Sequence, residues 1–377
     1  MFKFKVQKKL YKARLSLLVT PHGAVQGPFF QFVATQAGVR GQVYSEDVEK
    51  LGAQVVLANT YHLHLRPGEE TVADAGGLHD FMQWGGPMTT DSGGYQVFSL
   101  GGNVKLDKDG VTFRSPIDGA SHRITPESAM QIQAKLGADI VMQLDVCTDF
   151  RATHKEVEEA VEQSLKWAKR CKEEHERLGT SQALYGIMQG GVYMDLREKS
   201  AEGLRDLGFF GYSIGGEMRD ADGSAIEEGV PRLAPLLPED APRYVMGSGA
   251  PEDIVTLVRV GFDQFDCVLP VRHARHGKLY RNLNKEVLRE YLLDPERPVV
   301  ASDFYETLDI KKTENARDWS VFSPGNPAID KPYTVGYVHH LMRTEMPNGF
   351  RLAVLNNMWF YVELLRGLRE VIEEEGS

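Results

Sequence analysis

Cysteine is scarce in this sequence: Cys147, Cys171 and Cys267 are the only three in 377 residues, far apart and with no CxxC pair. That usage excludes a disulfide framework and a cysteine-built zinc knot, and reduced thiols are expected. Long apolar runs are missing too. The basic start MFKFKVQKKLYKARLSLLV offers only Leu15 to Val19 as an apolar stretch, too short for the core of a secretory signal, and no span approaches membrane length. The expectation is a cytoplasmic protein with no membrane partner. No GxGxxG opens a helix near the start, so the usual mark of a dinucleotide fold is absent. Positive charge is in deficit, with 43 Lys and Arg against 53 Asp and Glu. A net charge of −10 argues against a protein coated in nucleic acid, because phosphate must be met by cations at the contact face.

What remains is ordinary globular material, 42% hydrophobic and 25% charged. This length suits an α/β barrel built as one unit with insertions. The cations that exist are clustered. Residues 1 to 14 carry six Lys or Arg and no acid, and the segment from Arg272 to Arg289 holds Arg272, Arg275, Lys278, Arg281, Lys285 and Arg289 against Glu286 alone. A charge run taken by itself is more often a solvated face than a binding footprint.

Along the chain, short β-rich runs end in polar or Gly-rich turns and alternate with helical stretches. The runs are AQVVLANT (53 to 60), GPMTTDSGG (86 to 94), ADIVMQLD (138 to 145), ALYGIMQGG (183 to 191), GYSIGG (211 to 216), RYVMGSG (243 to 249) and QFDCVLP (264 to 270). Between them, 125 to 137 has Thr125 as N-cap, Pro126 at the first helical position and a closing Gly137, and 154 to 179 has helical periodicity with i, i+4 charge pairs. A βα rhythm favours a parallel sheet. Asn59, Asp91, Asp145, Gln189, Gly215 with Gly216, Gly247 with Gly249, and Asp266 all fall at the ends of such runs. Each alone would pass for an Asx-turn or a helix cap. Their recurrence across seven strands favours a closed barrel, in which strand ends share one mouth.

Three acids ending three strands would meet at that mouth. Such a set suits the breaking of a glycosidic bond, one carboxylate attacking while another moves protons. Asp266, beside Cys267, Val268 and Leu269, is expected in a tight, partly desolvated setting, and Asp91, followed by Ser-Gly-Gly, in an open one that a ligand can approach. Spacing alone leaves open which acid attacks.

Several longer stretches share one likeness. TTDSGGYQVFSL (89 to 100), FRSPIDG and TPESAMQIQ (113 to 133), YGIMQGG (185 to 191), YSIGGE (212 to 217), YVMGSGAPEDIV (244 to 255), FDCVLPVRHARHGKLY (265 to 280) and NTYHLHLRPG (59 to 68) resemble the tRNA-guanine transglycosylase (queuine tRNA-ribosyltransferase) family. The likeness runs from about residue 15 to YVHHL and FYVELL near the end. It implies a (β/α)8 TIM barrel with a C-terminal helical subdomain over about 290 to 377. The implied activity is a pentosyl transfer that exchanges guanine in tRNA, at the anticodon wobble position, for a free 7-deazaguanine such as 7-aminomethyl-7-deazaguanine or queuine. By resemblance Asp266 is the nucleophile, forming a covalent ribosyl-aspartate, and Asp91 the general acid and base. Asp145, Gln189, Gly216, Tyr95, Cys147 and Glu217 would bind the base, Arg272, Arg275 and Lys278 the RNA, and the protein would be a homodimer.

The sequence also departs from the family pattern. The family's C-terminal part usually holds a structural zinc on three cysteines and a histidine; aligned back from YVHHL, those positions carry Gly325, Pro327, Asp330 and Asn356. Neither Gly nor Pro has a ligating side chain and one Asp cannot build a four-coordinate site, so no zinc and no other cofactor is expected, with packing by Trp359, Phe360 and Tyr361 instead. Adjacent His339 and His340 point apart on a helix and suit packing or surface roles better than a metal. After Gly216 the text is GEMRDADGS (216 to 224), so Glu217, Asp220 or Asp222 would supply the acid that senses a 7-aminomethyl group, and the incoming base stays open. Three other readings stand beside the enzyme: a non-catalytic tRNA-binding partner subunit, which would be expected to lose the acids; a barrel enzyme acting on a small nucleoside or sugar, which would need no basic patch after Asp266; and a related deazaguanine transglycosylase acting on DNA.

Overall fold

The computed structural model describes residues 2–100, 102–149, 151–216 and 230–377. Eight parallel strands close into a barrel: β1 (Phe29–Val33), β2 (Val55–Ala58), β3 (Met88–Thr90), β4 (Ile140–Met142), β5 (Ala183–Met188), β6 (Gly211–Ile214), β7 (Arg243–Val245) and β8 (Gln264–Cys267). Each strand pairs with its successor in the chain, and β8 returns to pair with β1, Asp266 lying opposite Gln31. Helices surround the ring, giving a (β/α)8 barrel.

Period-two alternation divides each strand between the two sides of this ring. Phe29, Val33, Val55, Leu57, Ile140, Met142, Tyr185, Ile187 and Tyr244 fill one cluster with Leu18 and Val25. Phe30, Phe32, Val56, Ala58, Tyr212, Ile214, Val245 and Phe265 face the opposite way, into the core shared with the outer helices. Leu18 and Val25 belong to an N-terminal antiparallel sheet, Lys3–Leu10, Ala13–Thr20 and Gly23–Gly27, which plugs the end where the barrel strands begin. The basic run of residues 1 to 14 therefore lies at the far end of the barrel from the strand tips where the acids gather.

Helices form where their caps and stripes dictate. α1 (Pro126–Leu136) starts on Thr125, whose side chain accepts from Ser128 N, and ends at Gly137 with φ 76°. The cap contributes about 1 kcal/mol and the left-handed turn is one that glycine adopts without a Cβ penalty. α2 (His154–Leu178) repeats the design with Thr153, Glu156 and Gly179, and buries Val157, Ala160, Val161, Ser164, Trp167, Ala168 and Cys171 along one stripe. α3 (Met194–Leu207) follows β5, α4 (Leu269–His276) follows β8, and the long α5 (Pro347–Glu375) lies across α4 and the N-terminal sheet. Among the described residues no helix is long and apolar enough to cross a membrane.

The reading of seven strands from sequence missed the eighth, β1. FFQFV is buried at every position and so lacks the alternation that marks a half-buried strand. The N-terminal sheet and a three-stranded sheet of Gly102–Asp107, Gly110–Arg114 and Ser121–Ile124 were not foreseen either.

A buried ion pair helps to fix the plug to the barrel. Arg14 Nε donates to Asp263 Oδ1 at 3.0 Å and its Nη2 to Oδ2, while Nη1 and Nη2 also donate to the carbonyls of Glu239 and Ala241. Both side chains are buried, and Arg243 N adds a further bond to Asp263 Oδ2 at 2.9 Å. Removing one partner from such a pair strands the other charge. Arg14→Met is expected to cost roughly 3–5 kcal/mol of unfolding free energy, read by denaturant titration; a loss below roughly 1 kcal/mol would show that the pair is not the fastening described.

Candidate functional site

The barrel geometry sends the chain past each strand tip into one rim, and the three acids arrive there with dedicated donors. Asp91, one residue beyond β3, is buried at 6% exposure. Asn59 Nδ2 donates to its Oδ2 at 2.6 Å, Gln96 Nε2 to the same oxygen at 2.8 Å, and Thr60 N to Oδ1 at 2.8 Å. Asp145, beyond β4, is buried and accepts from Ser92 Oγ at 3.2 Å and Gln189 Nε2 at 2.6 Å, with the Cys147 thiol at 3.6 Å. Asp266, within β8, accepts from Tyr244 OH at 2.5 Å and Gly247 N at 2.9 Å. Ser92 follows Asp91 directly and bonds Asp145, so two of the acids are joined by one link.

The open setting expected around Asp91 is not found, whereas Asp266 is partly desolvated as expected. Asp91 is the buried one and Asp266 is partly exposed. The glycines after Asp91 serve close packing instead of opening a space. Gly93 holds φ 78° against Tyr61, and a Cβ on Gly94 would stand 3.1 Å from both Asp145 O and Oδ1.

Loss of water dominates the electrostatics. Burial pushes the Asp91 carboxyl up to about 6; the charge of Asp266 adds to this, and the bonds from Asn59, Thr60 and Gln96 hold it back. Asp145 and Asp266 are also raised by burial, each opposed by its own donors. Asp91 is thus poised to take or give a proton near neutrality. The half-buried Cys147 thiol is pushed well up by loss of water and by Asp145, so it acts as a weak donor and not as a thiolate.

The other foreseen residues fall in three groups. Gln189 and Gly216 sit at the tips of β5 and β6 beside Asp145, and Tyr95 stands 61% exposed at the start of the short helix that carries Gln96. Arg272, Arg275 and Lys278 are exposed on and just after α4, the helix that follows the strand of Asp266. Glu217, Asp220 and Asp222 lie outside the described residues. Asn59 and Gly247 were seen at strand ends without a role, and the partners Thr60, Ser92, Gln96 and Tyr244 were not anticipated. Tyr244 is the most consequential of these, a buried hydroxyl donating to the attacking-acid candidate.

The positions aligned with the family's zinc ligands do not fit a zinc ion. Gly325 and Pro327 have no donor, Asp330 is exposed, and Asn356 Nδ2 is spent on Tyr280 O at 3.0 Å and Asn357 Oδ1 at 3.1 Å. Instead Tyr280 stacks on Phe360 with centroids 5.2 Å apart, Tyr361 packs on Phe30 and donates to Gly249 O, and Trp359 lies under Arg366. Asn326 Nδ2 ties the nearby loop to Leu355 O at 3.0 Å. His339 is buried and donates from Nδ1 to Ile310 O at 2.7 Å, while His340 is exposed.

Among the described residues one set of three metal-type donors occurs, His22, His79 and Asp139, at the plugged end. There Asp139 accepts from His22 Nδ1 at 2.8 Å and Met88 N at 2.9 Å, a staple between the N-terminal sheet and the barrel. It is far from the rim and takes no part in the site.

The family model described as Queuine tRNA-ribosyltransferase matches residues 9–376. Curated relatives named Queuine tRNA-ribosyltransferase include that of Halothermothrix orenii, 42% identical over 97% of this chain and 91% of the relative. That of Marinobacter nauticus is 43% identical over 96% and 91%, and that of Vibrio cholerae 41% identical over 99% and 93%.

The donors around Asp91 define a measurable property. Each favours the charged carboxylate, so removing one favours the neutral acid. Asn59→Ala and Gln96→Ala are each expected to move the Asp91 titration upward from about 6, followed as the carboxyl resonance of labelled aspartate. An unchanged or lowered midpoint in both variants would contradict the account.

Proposed function

The chain belongs to the queuine tRNA-ribosyltransferase family, and on that premise we propose that it exchanges the anticodon wobble guanine of tRNA for a free 7-deazaguanine, such as 7-aminomethyl-7-deazaguanine or queuine. The observation that carries this reading is the meeting of Asp91, Asp145 and Asp266 at one barrel rim, each raised by burial and each held by donors of its own. A subunit that only bound RNA would have no use for three carboxylates deprived of water at one rim, an arrangement that costs stability.

Asp266 attacks C1′ of the everted nucleotide as the C1′–N9 bond breaks, and the bonding pair leaves with guanine. Tyr244 OH and Gly247 N hold the carboxylate so that one oxygen is presented. Asp91 gives its proton to the departing guanine. The incoming base then attacks C1′ through N9, Asp266 leaves with the electron pair of its ester bond, and the proton displaced from N9 returns to Asp91. Asp145 accepts from the purine's N1–H and exocyclic amine, the paired donors that a carboxylate matches. Gln189, Ser92 and Cys147 bond Asp145, so base entry would release Gln189 toward the purine carbonyl beside Gly216. Tyr95 offers an exposed ring for stacking, and an unpaired anticodon loop lets the base evert at low cost. Arg272, Arg275 and Lys278 face the phosphates flanking it.

The test is incubation with unmodified tRNA and labelled guanine, followed by mapping of the incorporated label. Position-specific incorporation is expected in the wild type and none in Asp266→Asn. A wild type that exchanges no base in any tRNA ends the reading. Opposite pH dependences should separate the half-reactions: guanine release, needing protonated Asp91, slows as pH rises through about 6, and uptake of the incoming base, needing the carboxylate, slows as pH falls through it. Alanine at Arg272, Arg275 or Lys278 should weaken tRNA binding, and each phosphate left without its cation should flatten the salt slope by about 0.7–0.9; unchanged slopes in all three would place the RNA elsewhere.

A further inference from the structure

Arg197 is a full charge buried at 1% exposure in the first turn of α3, the helix that follows β5, and no part of the base-exchange scheme above uses it. Its Nη1 donates to Met188 O at 2.8 Å and to Gly215 O at 2.8 Å, and its Nε to Gly191 O at 2.9 Å. One guanidinium thus holds carbonyls from both sides of Gln189 and from the β6 tip. Burial lowers its pKa only to about 10, so the charge survives at neutral pH. The neighbouring glycines are shaped around it: a Cβ on Gly190, at φ 144°, would fall 2.7 Å from Arg197 N, and one on Gly216, at φ 77°, would strike Gln189 Oε1 at 2.8 Å.

The carbonyl of Gly215 and the amide N–H of Gly216 belong to the same peptide unit, and that peptide is trans. In a trans peptide the two groups point in opposite directions. A cation drawing on the Gly215 oxygen therefore fixes the direction of the Gly216 N–H away from itself. It also makes that N–H a better donor, because hydrogen bonds in series polarise one another at low dielectric. We infer that Arg197 is a positioning residue for base recognition, orienting and polarising the Gly215–Gly216 peptide so that the Gly216 N–H meets the carbonyl oxygen of the bound purine. The inference rests on the base-exchange reading, and gives it a source for the donor strength that a backbone amide alone lacks. As guanine leaves with the bonding pair, negative charge grows on that oxygen, so the same device assists departure.

Arg197→Lys keeps the charge but cannot reach three carbonyls from one ammonium, and Arg197→Gln keeps donors without charge. The probes are guanine and 6-thioguanine, which share the N1–H and amine offered to Asp145 but differ in the acceptor at C6. In both variants guanine affinity should fall about tenfold or more, with 6-thioguanine affinity unchanged, so the preference for the oxo base collapses. Guanine KM should rise while KM for tRNA stays put. Loss of both ligands to the same degree, the result of a merely loosened fold, overturns the inference, as does an unchanged preference in both variants. If either variant fails to fold, the other and the wild-type preference decide: a wild type that exchanges guanine yet binds the two bases equally also refutes the role. A wild type that exchanges no base refutes the parent reading instead.

Discussion

Water taken away from carboxylates is the constraint around which this protein is arranged. Eight parallel strands closing on themselves must send all their leading ends to one rim, and a rim that narrow leaves little solvent for the acids it receives. Each acid is held only because the fold supplies it with donors. Asn59, Thr60 and Gln96 serve Asp91; Ser92 and Gln189 serve Asp145; Tyr244 and Gly247 serve Asp266. Each set comes from neighbouring strands or from the turn next to the acid, so the sheet's register is also the site's wiring.

The three environments are not equal. Asp91 accepts three hydrogen bonds and still stands at about 6, because burial and the charge of Asp266 outweigh them. Asp266 is partly exposed, and both of its donors, the buried Tyr244 phenol and Gly247 N, bond the same oxygen. Asp145 accepts from side chains alone, Ser92, Gln189 and the Cys147 thiol. One type of group thus stands in three distinct surroundings.

Much of this was legible in the residues. Glycine-rich and acidic tips recurring after seven apolar runs gave the barrel and its mouth, and the caps at Thr125 and Gly137 located α1 to the residue. The first strand escaped because FFQFV is buried on both faces and shows no alternation. Asp91 was misjudged because Gly-Gly reads as open space, whereas here the missing side chains let Asp145 and Tyr61 come close. The donors were invisible for another reason: Ala58 pairs with Thr90, which sets Asn59 beside Asp91, and Tyr244 reaches Asp266 through the pairing of β7 with β8, partners 32 and 22 residues apart that only the register reveals.

The sheet that stoppers the barrel's base has a consequence for approach. Leu18 and Val25 pack from beneath against the side chains that fill the ring, so the starts of the strands are covered and whatever reaches the three acids must come from the rim above them.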